Sequence, residues 1–534
     1  MPGIVLGHNA QIAWGLTNVN PDVEDVFAEK LDPANPDAVI YKAASAPMTI
    51  RTETIKVKGA PDVTLRVRST IHGPVISDVV NQLEPTSGSG GGLGASGYVY
   101  SLEHTATAGV DHTLDAVLGV NRATDWNSFR DALRSFGAPS QTFLYADVKG
   151  NIGVQIPGLI PIRGSGDGSR VSPGDGSADW TGYIPFDSLP YLYDPPSGVI
   201  VTANNAPVDA RFPLYLGSEW DPGWRAARIR SLIGNRTGLT LDDLVAIQGD
   251  VTLPRADPLV AAAGASGVKP ATADGKAVQA AIAAWAKKET CTTDSAGCAA
   301  YETFETDLLR TIFDNPLGAG TEPDALASMY VGSAPSREAL RALLLQPNAY
   351  WWGDNSPTPG FHDPSRNRDS DITAALDNAG ADLRSALGDP SNWTWGRLHT
   401  VTFQEQTFGT SGIGPLEWAF DKGPYPAAGT CDVLDAICGS LSALYPDPYA
   451  TTAAAPASIT DAFAANSLPS YRLAIDMGDL DGARFIQSTG QSGVPFDSHY
   501  GDFIDRWLAI QALPIPFTHA AVDAARQETL ILTP

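Results

Sequence analysis

The sequence is poor in basic residues and in long apolar runs. It contains 35 lysines and arginines against 60 aspartates and glutamates, so its formal net charge is −25 over 534 residues. An acidic surface repels the phosphates of nucleic acids and of anionic lipids, which argues against nucleic-acid binding. No apolar run approaches the ~20 residues that a membrane-spanning helix needs, so we expect no membrane span. The 43% of hydrophobic residues instead indicates a globular protein with a sizeable core.

Cysteine is scarce, and its spacing is informative. The four cysteines form two local pairs, Cys291/Cys298 and Cys431/Cys438, each with six residues between its members. Zinc sites more often separate paired cysteines by about two to four residues, so two small disulfide loops are the better interpretation and free thiols the alternative. Disulfides indicate an exported protein, yet the residues after Met1 do not resemble a signal peptide. We therefore expect the export signal to lie upstream of Met1.

The order of patterns along the chain predicts an α+β protein. Alternating apolar residues predict strands over 51–76, and a hairpin is expected to turn at Lys149-Gly150. Trp126, Phe129, Leu133 and Phe136 share one helical face, which predicts a helix from Thr124 that Gly137 ends. The pattern is mainly helical from about 230 to 388 and mixed thereafter. These changes predict a first part of the core at 1–230, a helical insertion at 231–388 and a return to the core at 389–534.

Two short motifs could carry chemistry. Asp22, Glu24 and Asp25 place three acids within four residues, which suits a hard cation with oxygen ligands but equally suits a solvated turn. Asn204 follows the apolar run 198–201, where a strand end would hold its side-chain amide as a donor to an oxyanion. An asparagine at an ordinary turn is the simpler alternative. The residues by themselves indicate an exported α+β protein and suggest a hydrolase.

A series of segments adds a more specific indication. In chain order they are Gly7-His-Asn-Ala-Gln-Ile-Ala-Trp14-Gly15-Leu-Thr17-Asn18, Asp22-Val-Glu-Asp25, Thr70-Ile-His72-Gly73-Pro74-Val75, Tyr145-Ala-Asp147, Thr202-Ala-Asn204-Asn205, Trp224-Arg225-Ala-Ala-Arg228, Trp393-Thr-Trp395-Gly396-Arg-Leu-His399 and Pro469-Ser-Tyr471-Arg472. Together they resemble the penicillin acylase family of N-terminal nucleophile hydrolases. The resemblance implies an αββα sandwich with a helical insertion, and this chain resembles an N-terminally truncated large chain.

The resemblance also implies a mechanism. In this family a precursor cuts itself into a small and a large chain, and the hydroxyl of the serine that then begins the large chain attacks an amide while its own α-amine acts as the base. By matching motifs, the oxyanion donors fall on the Asn204 side chain and the Asn18 backbone N–H, and Arg225 helps to hold the serine and Asn204. Asp22 and Asp25, with the Glu24 carbonyl, match a structural calcium site.

The nucleophilic serine has no counterpart in this sequence, so we expect it, and the small partner chain, to derive from upstream of Met1. The expected substrate is a small-molecule amide, such as the acyl group of a β-lactam antibiotic or an acyl-homoserine lactone, hydrolysed in the periplasm or outside the cell. No organic cofactor is expected, and the residues printed here should be inactive by themselves. The alternative is a non-catalytic family member that acts as an extracytoplasmic binding protein.

Overall fold

The computed structural model describes residues 3–79, 97–107, 109–314, 330–353, 366–445, 458–527, 529 and 531. Its contacts divide the chain into two compact units, Met1–Asp221 and Pro222–Pro534. Strands dominate the first unit and helices dominate the second, which confirms the predicted α+β class. The boundary predicted near residue 230 lies inside a helix of the second unit, Trp224–Ile233.

The first unit is built mainly from antiparallel strands. Its strands are β1 (Gly7–His8), β2 (Ile12–Asn18), β3 (Glu24–Asp32), β4 (Asn35–Tyr41), β5 (Ala44–Pro47), β6 (Thr49–Ile55), β7 (Val63–Thr70), β8 (Gly73–Pro74), β9 (Tyr98–His104), β10 (Gln141–Asp147), β11 (Ile152–Gln155), β12 (Pro161–Arg163), β13 (Ser172–Pro173), β14 (Trp180–Tyr183) and β15 (Tyr191–Tyr193). One five-stranded sheet has the order β1-β2-β10-β11-β15, and a second has the order β13-β3-β4-β5 with β9 paired to β3. The predicted strands over 51–76 are present as β6 and β7.

Two helices, α1 (Thr113–Arg122) and α2 (Trp126–Leu133), cover the first sheet. The carboxylate of Asp125 accepts from the backbone N–H of Ser128 and begins α2 with a capping box. The apolar face of α2 is buried in one cluster with residues of β2 and β10, among them Ile12, Phe143 and Tyr145. The sheet that carries β2 therefore packs on its helices as the apolar spacing predicted. The predicted hairpin at Lys149-Gly150 joins β10 to β11.

The second unit is mainly helical. Its helices are α3 (Trp224–Ile233), α4 (Leu241–Gln248), α5 (Asp257–Ala263), α6 (Ala273–Trp285), α7 (Ala296–Phe313), α8 (Ala334–Leu344), α9 (Arg368–Leu387), α10 (Trp395–Leu398), α11 (Gly414–Phe420), α12 (Ile459–Phe463), α13 (Ile504–Leu508) and α14 (His519–Ala525). Its strands are β16 (Thr400–Phe403), β17 (Lys422–Pro426), β18 (Tyr471–Asp476), β19 (Asp479–Gln487) and β20 (Leu513–Pro514). Nearly every residue of α7 is buried, and α6 and α9 contribute to the same core.

The two cysteine pairs differ in the structure, although their spacing is the same. Cys291 and Cys298 form a disulfide with a Cα–Cα distance of 5.2 Å, as predicted. Cys431 and Cys438 are free thiols, so the second predicted disulfide is wrong for this structure. The Cys438 thiol donates a hydrogen bond to Cys431 and thereby lowers the Cys431 pKa. Spacing brings two thiols together, but it does not decide whether they are oxidised.

The structure also bears on membrane insertion. Among the helices in the described ranges, none combines the length and the apolar character needed to cross a bilayer.

Candidate active site

The two residues predicted to donate to an oxyanion lie together in the first unit. Asn18 is the last residue of β2 and pairs with Gln141 of β10. The side-chain amide of Asn204 donates from Nδ2 to the carbonyl oxygen of Asn18 at 3.0 Å. Next to them, the hydroxyls of Thr17 and Thr202 are hydrogen-bonded at 2.9 Å. The segment around Asn204 is therefore held against the end of β2.

The backbone fixes the position of Asn204. Its φ of +65° lies in the left-handed region, which asparagine tolerates better than most residues. The N–H of Asp221 donates to the carbonyl of Asn204, and the N–H of Ala203 donates to Oδ1 of Asn205. The backbone is thus held on both sides of the side chain. A donor that is already oriented can stabilise developing negative charge without reorganising during the reaction.

The strand predicted before Asn204 is not formed. The run 198–201 is half-exposed and belongs to none of the strands assigned in the described part of the chain. Within the run, the Gly198 N–H donates to the Pro195 carbonyl and the Val199 carbonyl accepts from the Ser197 hydroxyl, so local turn contacts take the place of strand pairing. In β2, β1 pairs with Ala13 and Trp14, and the described strands leave that edge of β2 uncovered from Gly15 onward. The site therefore lies at an edge of β2 that has no strand partner among the described residues.

The three predicted calcium ligands lie at the start of β3. The guanidinium of Arg163 contacts both aspartates, through Nη2 to Asp22 Oδ1 at 2.8 Å and through Nε to Asp25 Oδ2 at 2.7 Å. The Glu24 side chain is 62% exposed, and its carboxylate lies 3.9 Å from His104 Nε2. Within the described ranges, no group of three or more His, Cys, Asp or Glu is placed to hold a metal ion. The donor set does not fit calcium in this arrangement, because an arginine already holds both aspartates.

Arg225 lies in the second unit, in the first turn of α3 after the left-handed Gly223. Burial alone would raise the pKa of Asp432 in this unit, but the charges of Arg255, Arg337 and Arg225 together hold it below its ordinary value. Arg225 thus belongs to the electrostatic surroundings of a buried carboxylate. Its role toward the serine and Asn204 stays a prediction.

Sequence reasoning missed Arg163 and Arg255. Arg163 lies 141 positions from Asp22 along the chain, and Arg255 bonds Asp432 at 2.6 Å across 177 positions. Neither arginine is part of a local spacing pattern that could reveal its partner. The surplus of acidic residues was the signal that could have indicated such arginines. Carboxylates that are buried beside β3 and α7 require a cation nearby.

Comparison with known proteins gives a consistent result. The family model described as penicillin amidase matches residues 1–524. An acyl-homoserine lactone acylase QuiP from Pseudomonas aeruginosa is 28% identical over 100% of this chain and 63% of its own length. The penicillin acylase 2 proenzyme of Pseudomonas sp. strain SE83 is 26% identical over 98% of this chain and 61% of its own length. The chain therefore spans about three fifths of the length of these curated relatives.

A solved structure supports the fold. The thermostable penicillin G acylase from Alcaligenes faecalis matches with a TM-score of 0.64 and 21% identity, covering 100% of this chain and 90% of that chain. At this identity the match bears on the fold alone. The αββα fold implied by the sequence motifs agrees with that match.

Proposed function

The chain belongs to the penicillin amidase family, and we propose that it forms most of the large chain of an amidohydrolase that cleaves a linear acyl amide. The observation that carries the proposal is the contact between Asn204 Nδ2 and the carbonyl of Asn18, with Asn204 in a left-handed conformation. This contact brings a side-chain donor next to the residue whose backbone N–H is the second predicted donor. The substrate class is an acylated β-lactam or acyl-homoserine lactone, in accordance with the names of the relatives.

The proposed reaction uses a serine at the start of the mature large chain. Its hydroxyl attacks the amide carbonyl, its α-amine accepts the proton, and the leaving amine takes up that proton as the acyl-enzyme forms. Asn204 Nδ2 and the Asn18 N–H stabilise the oxyanion of each tetrahedral intermediate. Water then attacks the ester and releases the acid. An α-amine with an ordinary pKa of about 7.7–8.0 can accept a proton near neutral pH without a histidine.

The edge of β2 that the described strands leave uncovered supports this proposal. A strand that begins with the serine and pairs with β2 from Gly15 onward would cover this edge and bring the hydroxyl near the two donors. The strand and a small partner chain would come from the same precursor. The Cys291–Cys298 disulfide supports an extracytoplasmic location, where such bonds persist.

The test uses the native protein, purified from the exported fraction of its source. The N-terminal sequence and intact mass should identify a large chain that begins with serine upstream of Met1 and a smaller partner. In that protein, Asn204→Ala should reduce kcat/KM on acyl amides by about 10²–10³ without changing the fold. Asn127→Ala, on an exposed position of α2, is the matched control and should leave kcat/KM unchanged. A mature chain that begins at Met1, has no partner and binds acyl amides without hydrolysing them would identify a binding protein instead.

A further inference from the structure

The guanidinium of Arg163 occupies the centre of the predicted calcium site. Its Nη2 approaches Asp22 Oδ1 at 2.8 Å and Asp25 Oδ1 at 3.2 Å, while Nε donates to Asp25 Oδ2 at 2.7 Å. The contact with Asp25 is thus a two-point fork, the arrangement in which arginine binds a carboxylate most strongly. The side chains of Arg163 and Asp25 are 4% and 1% exposed, so this pairing takes place away from solvent.

The remaining surroundings close around the arginine. The indole N–H of Trp180 donates to Asp25 Oδ2 at 2.5 Å, so both oxygens of this carboxylate are engaged. Gly168 passes over the pair with a φ of +83°, and a Cβ at this position would lie 2.5 Å from Asp25 Oδ1 and 2.6 Å from Arg163 Nη2. Only glycine fits such an approach, because these distances are far below van der Waals contact. The site is therefore packed around a guanidinium.

Calcium has different requirements. It takes about six to eight oxygen ligands at about 2.3–2.6 Å, and a guanidinium between two carboxylates both repels the ion and occupies its place. Glu24 was predicted to contribute only its backbone carbonyl, and its side chain, which is 62% exposed, adds no carboxylate. The described residues provide no third acid in a suitable position.

We propose that Arg163 replaces a structural calcium ion in this chain and that the site does not bind calcium. The arginine, at the end of β12, then joins this strand to the start of β3 and to the turn that follows Asn18. Arg163 is a positioning residue for that turn, since it touches Asp22 and Asp25 and not the predicted donors. The proposal does not depend on the proposed hydrolase activity, because binding and stability test it directly.

The experiment measures calcium binding and thermal unfolding of the purified protein in whatever processed form it is isolated. The wild type should show no heat of binding when titrated with calcium chloride, and its unfolding midpoint should be the same in excess chelator and in millimolar calcium. Arg163→Gln should lower the midpoint by about 5 °C or more and make it rise in calcium, because the two aspartates are then left without a cation. Arg170→Gln, at an exposed arginine of the loop that follows β12, is the matched control and should behave like the wild type.

Three outcomes would overturn the proposal. The first is a wild type that binds one calcium ion and unfolds earlier in chelator. The second is an Arg163→Gln midpoint equal to that of the wild type. The third is a destabilised Arg163→Gln protein whose unfolding midpoint does not change with calcium. That result would show that the guanidinium and the ion do not occupy the same position. If Arg163→Gln does not fold, the wild-type titration decides the question alone.

Discussion

Two histidines, one in each unit, are almost equally buried and yet have pKa values displaced in opposite directions. His72 of the first unit is 3% exposed and His399 of the second unit is 1% exposed. His72 contacts Glu29 through Nδ1 at 2.8 Å and Asp179 through Nε2 at 3.0 Å. His399 has one hydrogen bond, from Nδ1 to the carbonyl of Phe463 at 2.7 Å. The comparison separates the effect of burial from the effect of neighbouring groups.

The pKa values of the two imidazoles move in opposite directions. Burial by itself lowers the pKa of His72, but its hydrogen bonds to Glu29 and Asp179 outweigh burial and raise the pKa above 6.5. Burial lowers the pKa of His399 to about 4, and the hydrogen bond to Phe463 offsets only part of that effect. Burial therefore does not decide whether a histidine is charged. Carboxylates on both sides raise the pKa of a buried imidazole, whereas burial beside a single backbone carbonyl lowers it.

The largest effect is expected for His72→Gln. Glu29 is fully buried, and it also accepts from the hydroxyls of Thr70 and Ser101 at 2.7 and 2.8 Å. Removing the cation leaves this carboxylate buried without its charged partner, which should cost about 3–5 kcal/mol in the free energy of unfolding. Urea denaturation at pH 6, followed by circular dichroism, measures the loss. A loss below about 1 kcal/mol would show that His72 is not the cation that stabilises Glu29.

The difference in stability between wild type and His72→Gln should depend on pH in a definite direction. Because the pKa of His72 is raised in the folded state, its stabilising effect is complete below pH 6.5 and declines as pH rises through the folded pKa. The difference in the free energy of unfolding between wild type and His72→Gln should therefore become smaller above pH 6.5. A gap that widens with pH would mean that His72 is neutral at its two carboxylates.

A smaller effect on the free energy of unfolding, with the opposite pH dependence, is expected at His399. Its folded pKa of about 4 lies below the unfolded value of about 6.5, so the unfolded chain takes up a proton first and stability falls as pH decreases between these values. The shift corresponds to about 3 kcal/mol lost between pH 6.5 and 4. In His399→Asn the amide can keep the bond to Phe463 but cannot be protonated, so this part of the acid sensitivity should disappear. Urea denaturation across this pH range, with both proteins in the same buffers, provides the comparison. An equal loss in both proteins would place the titrating group elsewhere.

The smallest effect on stability is expected at an exposed histidine, which serves as the reference for the two buried histidines. His112 pairs with Asp115 at 2.9 Å, and their side chains are 60% and 70% exposed. Solvent screens such a pair, so His112→Gln should leave the free energy of unfolding unchanged within error at pH 6 and at pH 8. A measurable change would show that surface pairs contribute to the pH response attributed to the two buried histidines.

Much of the local structure could be predicted from the sequence. The helix through Trp126 and Phe129, the hairpin at Lys149-Gly150 and the disulfide between Cys291 and Cys298 are all in the structure. Each depends on a periodicity or a spacing within about 15 residues. The strand predicted before Asn204 failed because a strand requires a neighbour, and pattern alone cannot supply one.

The candidate site was less accessible to prediction. Motif order led to Asn18 and Asn204 together, and the structure brings them into contact across 186 positions. The motif order did not lead to Arg163. Folding brings Arg163, in β12, next to Asp22 and Asp25 at the start of β3, and no local sequence pattern indicates these contacts.

The sequence by itself determined the α+β class, the family and the candidate residues, since these depend on composition, periodicity and the order of motifs. His72 and His399 both lie within such motifs, and nothing in either motif indicates its charge. Only the tertiary structure decided the direction in which each pKa moves, as it decided which cation lies between Asp22 and Asp25. The reason is physical: the energy of a buried charge depends on the few groups within hydrogen-bonding distance, and folding brings those groups from distant parts of the chain.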